Sequence, residues 1–172
     1  WFVDRFENIP EAVLAWHRCG TGAVLATVIQ TWGSAPRRVG AQLGISGAGD
    51  IVGSVSGGCV EGAVAVEAIG ALSEQKARVL EFGVSDGDAF AVGLACGGTI
   101  KILLEPVGEV LPADLLADLV SARHRREPTA YIVNLETGVR RLEITEQVAQ
   151  FRMDRSEFLA DEQNFVAIHN PP

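Results

Sequence analysis

Residues 53–62 read Gly53-Ser54-Val55-Ser56-Gly57-Gly58-Cys59-Val60-Glu61-Gly62. They join a short strand at 50–54 to CVEGAVAVEAIGAL at 59–72, where Ala, Val and Glu recur with a helical period. The order is strand, glycine turn, helix. Paired glycines open backbone conformations that other residues resist. A helix entered from such a turn presents unbonded N–H groups and the positive end of its dipole, which suits phosphate or carboxylate. A thiol placed there has its thiolate stabilised and can act as a nucleophile or soft-metal ligand. Simpler roles stay open for the same residues. Gly57-Gly58 can be only a tight turn, Cys59 a small buried hydrophobe, and Glu61 a cap on the backbone at Gly58.

Upstream, residues 10–19 read as a helix. Pro10 suits its first turn, Ala12, Val13, Ala15 and Trp16 give it an apolar face, and Gly20 stops it. Residues 23–31 (AVLATVIQT) form a buried strand and 32–40 (WGSAPRRVG) a polar loop with two arginines. Residues 41–46 and 50–54 pair as a hairpin through Gly47-Ala48-Gly49. Downstream, 76–83 is a strand, 84–95 a loop or short helix, and 99–105 (TIKILLE) a strand stopped by Pro106. Residues 112–126 form a helix, with Asp114 and Asp118 early and Arg123, Arg125 and Arg126 late, matching the macrodipole. A hairpin turns at Thr137-Gly138 between 131–135 and 139–144. Beyond 147 the pattern weakens. The expected fold is α+β or mixed α/β: a single domain over 1–146 with a mixed sheet, β-hairpins and a glycine turn feeding a helix. Residues 147–172 read as a tail or linker.

The chain has 172 residues, enough for a core that needs no disulfide or metal staple. Lys and Arg number 14 against 22 Asp and Glu, a net charge of −8. That argues against nucleic acid or an anionic membrane as the main partner, and no apolar run is long enough to span a bilayer. Cys19, Cys59 and Cys96 are odd in number and widely spaced, which favours a reducing, cytoplasmic setting over a disulfide scaffold. All of the 19 glycines except Gly138 lie between Gly20 and Gly108. Nucleotide fingerprints of the GxGxxG and GxxxxGK[ST] types are absent, as are HExxH and GxSxG. His17, His124 and His169 lack ligand spacing and read as surface or helix-end residues.

Two further segments carry chemistry. Gly93-Leu94-Ala95-Cys96-Gly97-Gly98-Thr99 sets a second thiol beside a glycine pair, ahead of a strand. The expectation is that Cys59, in the first turn of its helix, and Cys96, at its strand start, share one pocket. The alternatives are two unrelated turns or a transiently oxidised pair. A zinc site would lack the usual close ligand pairs. Gly33-Ser34-Ala35-Pro36-Arg37-Arg38-Val39-Gly40 sets arginine forks on a glycine-flanked loop, suited to phosphate. A solvated loop explains that segment equally well.

Taken together, the three segments resemble the N-terminal domain of the XdhC/CoxI family. The matching stretches are WGSAPR at 32–37, GSVSGGCVE at 53–61, and GLACGG at 93–98 followed by the 99–106 strand. They stand in the family's order and cover most of residues 9–107. The resemblance implies an accessory role in maturing molybdenum hydroxylases of the xanthine dehydrogenase or carbon monoxide dehydrogenase type. Such a protein binds molybdenum cofactor, supports its sulfuration by a cysteine desulfurase and delivers it to the apo hydroxylase. It implies an insertion factor rather than a catalyst. The competing readings are a persulfide carrier using Cys59 and an oxidoreductase-related subunit. A hydroxylase itself would need iron–sulfur and flavin sites for which three scattered cysteines do not suffice. The implied cofactor-binding residues are Arg37, Arg38, Ser56, Gly57, Gly58, Cys59, Glu61, Cys96, Gly97 and Gly98, with Cys59 the candidate reactive thiol and no metal ligand set. The molybdopterin form, mononucleotide or dinucleotide, and a homodimer are left open. Two-domain relatives continue into a Rossmann domain. Here the chain reaches Pro171-Pro172 without one, so a single-domain CoxI-like member and a truncated product both fit.

Overall fold

The apolar run of β1 (Ala23–Trp32) has no polar face to give to water, and its first six residues are buried. It is the middle strand of a five-stranded sheet in the computed structural model of the chain, which describes residues 8–35, 37–83, 97–144 and 164–169. Its neighbours are β2 (Gln42–Ser46), β3 (Ile51–Gly53), β4 (Arg78–Phe82) and β5 (Thr99–Pro106), in the order β3-β2-β1-β5-β4. The mixed α/β class holds. A mixed sheet was expected, but every pairing among the described residues is antiparallel. Antiparallel neighbours need no long crossover between them, unlike parallel ones.

Helices cover both faces. On one face, Val64, Ala68 and Ala71 of α2 (Glu61–Glu74) pack with Val24, Ala26, Val28, Leu43, Ile45, Ile100, Ile102 and Leu104. On the other lies α1 (Ile9–Arg18). Gly44 stands between Leu43 and Ile45, so it faces away from α2. A Cβ there would come 2.7 Å from Val13 Cγ2, 3.0 Å from Val52 Cγ1 and 3.3 Å from a ring carbon of Trp16. Glycine is therefore what lets α1 lie against β2. Arg78 of β4 ties the sheet to α2 through Glu67 at 2.6 Å and Glu74 at 3.0 Å.

The register decides where the loops emerge. Thr27 of β1 pairs with Gln42, the first residue of β2, and Leu43 pairs with Gly53, the last of β3. Trp32 pairs with Thr99 at the start of β5, and Phe82, the last of β4, pairs with Ile100. The chain thus leaves the sheet at 32, 53 and 82, and re-enters at 42 and 99, along one edge.

The chain divides into two units, Trp1–Val110 and Leu111–Pro172. The 146/147 boundary read from the sequence falls inside the second. That unit holds α3 (Ala113–His124), β6 (Thr129–Asn134), β7 (Arg140–Ile144) and β8 (Asn164–His169), with β6 between the other two strands. β8 was not foreseen in the tail. Its pairing is set by the buried strand β6, whose second edge needs a partner. No helix among the described residues is long and apolar enough to cross a membrane.

Candidate functional site

Residues 54–60 connect β3 to α2, and their backbone is organised around a single carboxylate. Ser54 Oγ, Val55 N and Ser56 N donate to Glu61 Oε1 at 2.7, 3.1 and 2.9 Å. Ser56 Oγ and Gly58 N donate to Glu61 Oε2 at 2.5 and 2.9 Å. The two serine hydroxyls accept in turn: Gly57 N donates to Ser54 Oγ and Val60 N to Ser56 Oγ, each at 2.9 Å. Such a curled turn needs left-handed backbone at Gly57 (φ +76°) and Gly58 (φ +110°). Glu61 is 8% exposed and Ser56 1%. Burial raises the Glu61 pKa. The Ser56 hydroxyl and N–H and the Ser54 hydroxyl outweigh burial and hold it at about 2, below the ordinary 4.5.

This arrangement corrects two expectations. The N–H groups of Gly57 and Gly58 were expected to serve a bound anion, but both are committed to internal acceptors. Glu61 was expected to touch cofactor, but five donors fill its two oxygens. The capping role at Gly58 is present, with Ser54 and Ser56 added. Ser54 was missed as a member of this network. The Ser-x-Ser-Gly-Gly-x-x-Glu order was its signal. Cys59 does not lie in the first turn of the helix. α2 begins at Glu61, because the Glu61 network holds 54–60 outside helical geometry. The Cys59 thiol is exposed. Among the described residues, the N–H groups of Cys59, Gly62 and Ala63 have no hydrogen-bond partner, and there is open space where side chains on Gly58 and Gly62 would stand.

Elsewhere on the same sheet edge, two motif segments meet. A Cβ on Gly98 would lie 2.5 Å from Ser34 O and 2.8 Å from Trp32 O, so bare backbone packs on bare backbone there. Gly97 is exposed, with open space beside it. The 33–40 loop closes at its base, where Gly40 N donates to Val28 O at 2.8 Å and Val28 N to Ala41 O at 2.9 Å. Arg37 is half-buried and engaged within the chain, and Arg38 is exposed. Cys96 lies outside the described residues, and with it the expected Cys59–Cys96 pocket.

Residues 16–83 match the XdhC and CoxI family. The molybdenum cofactor insertion chaperone PaoD of Escherichia coli is 37% identical over 107 residues, covering 62% of this chain and 33% of the relative. A probable xanthine dehydrogenase subunit from Bacillus subtilis is 36% identical over 88 residues, covering 49% of this chain and 26% of the relative. A solved xanthine dehydrogenase from Bacillus halodurans superposes with a TM-score of 0.71 at 26% identity, over 94% of this chain and 52% of that one. The chain spans a third or less of these curated relatives and about half of the solved chain. Over residues 16–83 the chain is thus similar to the XdhC and CoxI family.

Proposed function

We propose that this chain carries molybdenum cofactor as cargo during the maturation of a molybdenum hydroxylase of the xanthine dehydrogenase or carbon monoxide dehydrogenase type. The supporting observation is the sheet edge, where the 33–40 loop, the 54–60 turn that leads into α2 and Gly97-Gly98 all emerge. A phosphorylated pterin needs anion donors, a cation and room against backbone. The N–H groups of Cys59, Gly62 and Ala63, with Arg37 or Arg38, supply the first two. The open backbone at Gly58, Gly62 and Gly97 supplies the third. Gly57, Gly58, Ser56 and Glu61 shape this surface, and Gly98 lies beside the neighbouring strand start. The apo hydroxylase is the recipient and a cysteine desulfurase the sulfur source. The work is delivery, and no turnover is assigned to the chain.

The test is the absorbance and molybdenum content of protein purified from a molybdenum-replete host, followed by transfer to apo hydroxylase. Protein that carries neither pterin nor metal, and binds none when supplied with released cofactor, defeats the reading. Replacing both Arg37 and Arg38 by alanine should weaken cofactor binding by about 1.5–3 kcal/mol, the range for a hydrogen bond to a charged group. Added salt should weaken wild-type binding as well. Affinity indifferent to both changes would leave the backbone N–H groups as the only anion contacts.

The exposed Cys59 thiol favours a second role on the same surface, as acceptor of sulfur. The Cys59 thiolate attacks the outer sulfur of the desulfurase persulfide. The donor S–S bond breaks as the Cys59 S–S bond forms, and the donor leaves as a thiolate. Cys59→Ala should then abolish the gain of one sulfur atom seen by mass spectrometry, with stability changed by no more than about 0.5 kcal/mol. A large loss of thermal stability with unchanged cofactor affinity would make Cys59 a packing residue instead.

A further inference from the structure

We propose that Trp32 is the stacking surface for the fused bicyclic pterin ring of the cargo, an inference that rests on reading this sheet edge as the cofactor site. Trp32 is 66% exposed. The other described aromatic side chains are withdrawn from water: Phe82 and Tyr131 are buried and Trp16 is half-buried. An indole held in solvent forgoes the burial that usually makes tryptophan useful to a fold.

The position of Trp32 is well suited to a flat ligand. Its backbone is held in the sheet, paired with Thr99 as the last residue of β1. Its chain neighbour is Gly33, and Gly98 packs against the Trp32 carbonyl. Gly33, Gly97 and Gly98 bring no side chains to cover the ring. Arg37 and Arg38 stand on the loop that Trp32 begins, a loop closed at its base by the Val28 hydrogen bonds. One excursion of chain thus offers an aromatic face for a planar conjugated ring and guanidinium groups for the phosphate attached to it. A protein partner would be a different occupant. Binding hot spots for proteins sit within apolar clusters. Among the described residues of this unit, the other large exposed apolar side chains, Ile51, Val66, Ile69 and Val79, stand at the start of β3, along α2 and near the start of β4.

The experiment compares the full chain with Trp32→Phe and Trp32→Ala, using three probes: cofactor released from a molybdenum enzyme, 6-hydroxymethylpterin monophosphate, and inorganic phosphate. Trp32→Ala should weaken both pterin probes by about 10-fold or more, as loss of an aromatic stacking partner does. Trp32→Phe should retain most of the affinity. Phosphate binding and the melting midpoint should match wild type in both variants. Pterin binding should quench indole emission in wild type more than in Trp32→Phe. Trp32→Ala with wild-type pterin affinity overturns the stacking role and leaves the cofactor reading standing. Failure of wild type to bind any pterin probe overturns both. Unchanged pterin affinity with lost capture of the apo hydroxylase makes Trp32 a protein contact and overturns the proposal.

Discussion

Glu61→Ala loses about 3 kcal/mol of folding stability at neutral pH, and the loss shrinks as the solution is acidified. The carboxylate holds five donors from Ser54, Val55, Ser56 and Gly58 in a buried turn. Removing it strands N–H groups that water reaches poorly, at about 1–3 kcal/mol for each one left unsatisfied, partly recovered as the turn relaxes. The titration leads to a similar figure. The folded pKa of about 2 against the ordinary 4.5 corresponds to roughly 3 kcal/mol at about 1.36 kcal/mol per unit. The folded pKa is depressed, so this contribution is present in full above pH 4.5. It drains away as pH falls from 4.5 through 2, below which folded and unfolded chains are both protonated. Denaturant unfolding at pH 7, 4.5 and 3 measures it. Wild type should lose stability relative to Glu61→Ala across that window, and the two curves should converge near pH 2. Parallel curves, or a variant as stable as wild type at pH 7, would mean that the network carries no net energy.

Gly98→Ala costs about 3 kcal/mol and disturbs ligand binding, whereas Gly97→Ala next to it costs about 1 kcal/mol. At Gly98 the added Cβ meets Ser34 O at 2.5 Å, Trp32 O at 2.8 Å and Ser34 C at 2.9 Å, all backbone, so no rotamer change relieves the clash. The 32–34 segment must move off β5, carrying Trp32 with it. At Gly97 the space is open, and the cost is that of a left-handed conformation, φ +73°, in a residue with a Cβ. Thermal unfolding and pterin-phosphate titration of the two variants test the contrast. Equal melting points would remove the backbone contact as a determinant of the edge.

Glu61 and Gly98 also mark how far the sequence could be read. GSVSGGCVE announced a turn into a helix, and the family resemblance rested on it. The reading stopped at which groups the turn keeps for itself. Gly57 and Gly58 looked like donors to a ligand because glycines free the backbone. In the fold their N–H groups face Ser54 and Glu61 instead. Spacing alone could not decide this, since a carboxylate near a helix start can cap, repel or bind. Trp32 was read as the first residue of a polar loop. Its exposure depends on what the sheet leaves uncovered, which the chain pattern does not record.

By itself the sequence determined the local elements of the first unit. The largely apolar run of β1, the Pro10 and Gly20 ends of α1, the glycine hairpin between β2 and β3, and the apolar face of α2 are all short-range properties. Each follows from side-chain size, hydrophobic period or backbone freedom within a few residues. Only the tertiary structure decided the antiparallel order β3-β2-β1-β5-β4, and with it the single edge on which the 33–40 loop, the 54–60 turn and Gly97-Gly98 emerge. It also recruited β8 to β6 from the weakly patterned stretch beyond 147. Strand pairing joins residues distant in the chain, and its energy comes from hydrogen bonds and burial that exist only after the chain has closed on itself. The role of Glu61 was settled at that same level, because a carboxylate becomes a structural anion only where burial leaves it no better partners than its own turn.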